Sequence, residues 1–151
     1  MSRRSWWILV LAAVSLITLA TASVVTARPP SKAPQLVGTW VNVDKETRGI
    51  VKLNIARKGN GRLAVHSYGA CYPKPCDNGT VNAFAHSTSV DSSRAKAFSY
   101  QSNIGFAVEI VTGQLEDRED GLRLVVNSFT RFTDSSSRYD FFYTDVFKLK
   151  P

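Results

Sequence analysis

The side chains able to ligate, attack or carry protons crowd into one stretch. Cys71 and Cys76 are the two cysteines of the chain. Both lie in Gly69-Ala70-Cys71-Tyr72-Pro73-Lys74-Pro75-Cys76-Asp77-Asn78-Gly79, with His66 just before it and His86 just after. The prolines forbid regular structure here, because each fixes φ and removes a backbone donor. Glycines at the ends allow turn conformations that other residues avoid. Three chemistries are open to the thiols. An exported chain would join them in a disulfide. A metal site would have to recruit His66, His86 or Asp77, whereas zinc loops usually bring two close pairs of soft ligands. A redox pair usually has two intervening residues at a helix start, and this pair does not.

His66, His86 and Asp77 form the other reactive set. If antiparallel neighbours brought the histidines together, they could act with Asp77 as a general-base pair or weak metal site. The plainer reading is ordinary surface histidines. Asp44 and Arg48 bracket a turn: Asp44 suits acceptance of turn N–H groups. Arg48 suits an ion pair with Asp44 or Asp77, or a ligand anchor. No Gly-x-Ser-x-Gly, phosphate loop or paired carboxylates in an apolar setting occurs. No residue is therefore assigned as catalytic, and no metal or cofactor is called for.

The elements that must hold this stretch are strands. Segments 36–43, 50–57, 63–68, 80–87, 95–100, 106–115, 122–132 and 139–150 are each apolar or alternating, and polar turns separate them. Val51, Leu53 and Ile55 alternate with Lys52 and Asn54. Gly59-Asn60-Gly61 is a tight hairpin connection of residues that tolerate φ > 0. No segment carries apolar residues at helical spacing. Short strands joined by polar turns predict an all-β fold. Sequential hairpins favour an eight-stranded antiparallel up-and-down barrel, which closes to avoid open edges. In the last segment Tyr139, Phe141, Tyr143, Phe147 and Leu149 share one side, and Phe142 and Val146 the other. A barrel of this size is filled by side chains or holds one small ligand; both remain open.

Ahead of the barrel, Ser2 to Arg4 are polar and basic, and Trp6 to about Val25 has no charge. Small residues follow at Ala20-Thr21-Ala22 and Val25-Thr26-Ala27. Basic, apolar, small is the order of a secretory signal helix, placing a signal peptide at residues 1–27. A retained membrane anchor is the alternative, since ~20 apolar residues can span a bilayer. Residues 28–35 read as a proline-rich linker, and 36–151 as one domain long enough for a single core. The formal net charge is +7, but the basic residues are dispersed, unlike a nucleic-acid footprint. The chain is expected outside the cytoplasm, touching membrane only through an uncleaved N-terminus.

Gly38-Thr39-Trp40 at the start of the first strand resembles the opening of lipocalins and the wider calycin group. The resemblance implies that Trp40 plugs one end of the barrel, with Arg131 or Arg138 stacked on it. Gly38-Thr39-Trp40-Val41-Asn42 is similar to the first strand of streptavidin-like barrels, which implies that Asn42 faces a ligand. The aromatic box of that family is absent. A second resemblance covers more chain. Trp40-x-Asn42-x-Asp44, Thr47-Arg48-Gly49-Ile50, Val65-His66 and Gly69-x-Cys71-x-Pro73-x-x-Cys76-Asp77-x-Gly79 resemble a small bacterial extracytoplasmic family. That family commonly has an aromatic residue where this chain has Asn78.

The function expected on these grounds is an exported barrel binding a small apolar or amphipathic ligand. Its candidate contacts are Trp40, Asn42, Arg48, His66, Tyr139, Phe141 and Tyr143. The alternatives are a filled structural or interaction module of the cell envelope and, least favoured, an enzyme at the loop mouth.

Overall fold

The computed structural model of this protein describes residues 33–151. The expected signal helix or anchor, and the linker before Ala33, lie outside the described residues. The strands are β1 Gly38–Asn42, β2 Ile50–Lys58, β3 Arg62–Gly69, β4 Cys76–Ser87, β5 Ala95–Asn103, β6 Ala107–Arg118, β7 Gly121–Phe132 and β8 Phe141–Leu149. Each pairs antiparallel with the next, and β8 returns to β1, so the sheet closes as an eight-stranded up-and-down barrel. Among the described residues there is no helix. Closure gives every strand two partners and leaves no unpaired edge.

The two ends differ. At one end lie the Gly59–Gly61 turn, where Asn60 and Gly61 take φ of 62° and 70°, and the chain leading into β1. Trp40 is fully buried there, and its indole N–H donates to the Leu36 carbonyl at 2.9 Å. Leu36 and Ala33 are buried in the same cluster as Leu53, Ile55, Leu63, Leu115, Leu124 and Phe147. The end of the expected linker is therefore a turn folded under the barrel. This end is the floor. Gly113 on β6 stands opposite Phe98 on β5. A Cβ there would run into the Phe98 ring, so a small residue on one strand makes room for a large one on its neighbour.

The other end is the mouth. It carries the loops 43–49, 70–75, 104–106 and 133–140. The stapled stretch sits here, with Cys71 and Cys76 joined in a disulfide across a Cα–Cα distance of 5.4 Å. Strand β4 starts at Cys76, earlier than expected from sequence. Tyr68 and Gly69 pair with Asp77 and Cys76 after a register shift beyond His66, with Gly79 at φ 78° inside it. A bulge lets pairing resume past an irregular residue.

Strand β8 starts later than expected. Tyr139 lies in the preceding loop and is 92% exposed. Asp140 accepts the Phe132 N–H at 2.9 Å, and the ladder begins with Thr130 opposite Phe141. Alternation therefore does not reach Tyr139, and that residue does not share the inward face.

Candidate functional site

Going up the barrel, the inward residues change character at about the same level on adjoining strands. On β7 the fully buried Leu124 and Val126 give way to Ser128 and Thr130. On β8 Phe147 gives way to Asp145, then Tyr143 and Phe141. On β6 Leu115, Gly113 and Val111 lead to Glu109. On β5 Phe98 leads to Tyr100 and Ser102, and on β3 Leu63 and Val65 lead to Ser67. The register fixes these faces: Val111 opposes Tyr100 and Ser128, and Glu109 opposes Ser102 and Thr130. Above this level a cavity of ≈ 580 Å³ opens at the mouth. Its lining includes Ser67, Tyr100, Glu109, Thr130, Phe141 and Tyr143, with Arg48, Arg138 and Phe106 toward the rim.

The polar groups lining the cavity and just beneath it are sparsely satisfied. Thr130 Oγ1 and Ser128 Oγ are buried and have no hydrogen-bond partner. Their residues are 6% and 1% exposed. Such an orphan usually costs about 1–3 kcal/mol, so each is a feature that needs a reason. Glu109 receives one long hydrogen bond, from the Ser102 hydroxyl at 3.4 Å. Burial pushes the Tyr100 phenol well above its ordinary range, and the charges of Glu109 and Tyr143 add to the rise. Burial also raises Tyr143, with Glu109 and Asp145 adding to it. Ser128 works the other way, although no hydrogen bond between them closes. Both phenols are thus held as neutral hydroxyls.

Below the rim a second polar group is complete. Asn42 donates to Asp145 Oδ1 and to the Ile50 carbonyl, each at 2.8 Å, and accepts the Asp44 N–H at 2.9 Å. The Thr47 hydroxyl and the Ile50 N–H donate to the same Asp145 carboxylate. Gly49 passes so close that a Cβ would stand 2.6 Å from the Tyr143 ring and 2.7 Å from Asp145 Oδ2. Trp-x-Asn-x-Asp and Thr-Arg-Gly-Ile are therefore the two halves of a clasp that ties the 43–49 loop to β8. Asp44 caps this turn by accepting the Glu46 N–H, as its position suggests. Arg48 points no ion pair at Asp44 or Asp77; it is exposed at the rim.

The structure divides the sequence-derived candidates. Phe141, Tyr143 and Arg48 line the cavity. Asn42 is committed to the clasp, where its amide nitrogen and oxygen both have protein partners, and it is not part of the cavity lining. Trp40 closes the floor rather than lining the cavity, and neither Arg131 nor Arg138 reaches it. Arg138 belongs to the mouth, where it lies over the Phe132 ring at 3.9 Å and pairs with Asp134. Tyr139 is outside. Ser67, Tyr100, Glu109, Ser128 and Thr130 escaped the sequence reading. Their signal is the polar run on faces that begin as hydrocarbon.

His66 lies on the outer face, because it opposes Thr80 and Asn54 while Val65 points in. Its Nε2–H donates to Asp77 at 2.6 Å, which leaves Nδ1 to accept the Thr80 hydroxyl at 2.9 Å. The tautomer follows from a carboxylate being acceptor only. His66 also stacks on Tyr68, and Lys52 lies over that ring. His86 bonds Ser99 elsewhere on the outer face. It stands six residues beyond Thr80 on β4, roughly 20 Å at the usual rise, so the histidines do not meet. Among the described residues no group of His, Cys, Asp and Glu could hold a metal ion.

A third feature is apolar and exterior. Ile110, Phe129 and Phe142 oppose one another across β6, β7 and β8 and are all exposed. No family model, curated protein or solved structure matches this chain.

Proposed function

We propose that this protein is an exported, calycin-like barrel that binds a small amphipathic molecule at its mouth. One observation carries the reading. The inward faces turn from hydrocarbon to polar at one level, and above that level stands a cavity lined by Thr130, whose buried hydroxyl has no partner, with the unpartnered Ser128 hydroxyl one step down the same face of β7. A barrel built only as a scaffold has no use for them, since hydrocarbon would fill the same space more stably. The volume falls in the usual range for small-molecule sites, roughly 300–1,000 Å³, and the mixed lining is typical of them. The disulfide is compatible with an oxidising compartment, which supports export together with the basic, apolar, small order of the N-terminus.

The test is native mass spectrometry of the protein purified from its own host without detergent. A discrete added mass, lost on denaturation, is the expected result. A bare-protein mass, with no amphiphile raising the melting temperature, overturns the reading. The exposed patch of Ile110, Phe129 and Phe142 favours a second reading, an interaction module of the envelope. In that case Phe142→Ser would abolish partner capture and leave cavity binding unchanged.

A further inference from the structure

We infer that the molecule bound at the mouth is an amphipathic organic cation, whose protonated nitrogen seats between Glu109 and Thr130. The inference rests on the reading of the cavity as a ligand site and adds the charge of the ligand and its direction of insertion.

Glu109 is the cavity's inward carboxylate. It sits between Ser102 on β5 and Thr130 on β7, partly buried, and makes no ion pair with any described residue. Its one hydrogen bond is long. A carboxylate drawn from water without a cation is costly, so it asks for a positive partner. The deeper carboxylate, Asp145, makes no such demand, because Asn42, Thr47 and the Ile50 N–H already serve it.

An independent observation points the same way. Thr130 Oγ1, on the residue directly opposite Glu109, is buried without a partner. An ammonium group offers three donors and no acceptor. It could give one to Glu109 and another to Thr130. A carboxylate or sulfate head offers acceptors only and would meet Glu109 as a like charge. Around the same space stand the rings of Tyr100, Phe141 and Tyr143, and Phe141 and Tyr143 lie stacked with centroids 6.0 Å apart. Aromatic faces attract cations, more strongly once water is excluded.

The rim arginines weigh less against this. Arg138 is balanced by Asp134 and seated on Phe132. Arg48 is exposed in water, where single charges exert weak effects. Glu109 acts from a less solvated position, where the same charge counts for more.

The probes are octylammonium, octanol and octanoate, titrated calorimetrically at neutral pH against the whole protein and Glu109→Gln. Octylammonium should bind at least ~10-fold tighter than octanol, a difference of about 1.4 kcal/mol, with octanoate weakest. Glu109→Gln should erase the preference for the ammonium over octanol, and an unchanged circular dichroism spectrum and cooperative melt show that the variant is folded. Octanoate binding as tightly as octylammonium, or no loss in Glu109→Gln, overturns the cationic assignment while the cavity reading stands. If none of the three binds, the cavity reading itself fails and takes this inference with it.

Discussion

The floor and the mouth of this barrel are made by the same strands, yet they follow different rules. On β7, Leu124 and Val126 are sealed among Trp40, Leu53 and Phe147, while Ser128 and Thr130, next along the same face, are buried without partners. At the floor each inward residue completes a hydrocarbon cluster. Even the one indole N–H is satisfied, by Leu36. At the mouth an inward carboxylate, two raised phenols and the orphan Thr130 hydroxyl border open space, with the orphan Ser128 hydroxyl one step down β7. Stability is concentrated at one end, which frees the other to keep unsatisfied groups. Binding sites are commonly where local rules of packing and satisfaction are broken.

The largest effect should come from the floor. Trp40→Ala removes a fully buried side chain and is expected to cost ~3–5 kcal/mol in chemical denaturation, as other buried aromatic truncations do. Phe141→Ala at the mouth, where the side chain is half exposed, should cost clearly less. Equal losses would erase the distinction between the ends.

Next comes the staple. Removing the Cys71–Cys76 bond by Cys71→Ser should cost about 2 kcal/mol at most, because the closed ring is short and frees little chain entropy when opened. The barrel should melt cooperatively and somewhat earlier in a thermal scan. Complete unfolding would mean that the mouth, not the floor, holds the fold.

A smaller effect of opposite sign is expected at Thr130. Thr130→Val keeps the shape and deletes the orphan hydroxyl, so stability should hold or rise by up to ~1 kcal/mol. Affinity for octylammonium should fall in the same protein. A destabilised variant would show that the hydroxyl has a structural partner.

Much of the floor was legible in sequence, and much of the mouth was not. Alternation in β2 and β7, the Gly59–Gly61 turn and the position of Trp40 are local signals, and local signals suffice for a closed apolar end. The mouth depends on distant pairings. Asn42 finds Asp145 across 103 positions of sequence, so its role in the clasp cannot be read from the first strand. Glu109 lies between Val108 and Ile110, which face outward; a charged residue flanked by apolar ones looks like a solvent position, and here the inside and outside are reversed. Shifts of register at Ile50/Lys52, His66/Tyr68 and His86/Ser87 add a further obstacle. A one-residue slip exchanges the two faces, so strict alternation cannot be carried through the ends of these strands.

The smallest effect, and the most local, is acid loosening of the mouth. Asp77 accepts the Gly79 N–H at 2.8 Å and the His66 N–H at 2.6 Å. The Gly79 bond first, then His66, hold its carboxyl below the ordinary range. A carboxyl lowered in the folded state stabilises that state above its unfolded value, about 3.9, and the contribution is lost as pH falls through the lower folded value. Order at the stapled loop should therefore persist down to about pH 4 and fade below it. Asp134 in the 133–140 loop, lowered first by the Ser136 hydroxyl, should respond in the same window. The Gly79 amide and the Trp40 indole N–H, followed by NMR over this range, read the two ends separately. The amide should shift and exchange faster while the indole stays fixed. Asp77→Asn should remove the step at Gly79, because an amide does not titrate. If the indole moved together with the amide, the mouth and the floor would be one cooperative unit, and the division of labour between them would fail.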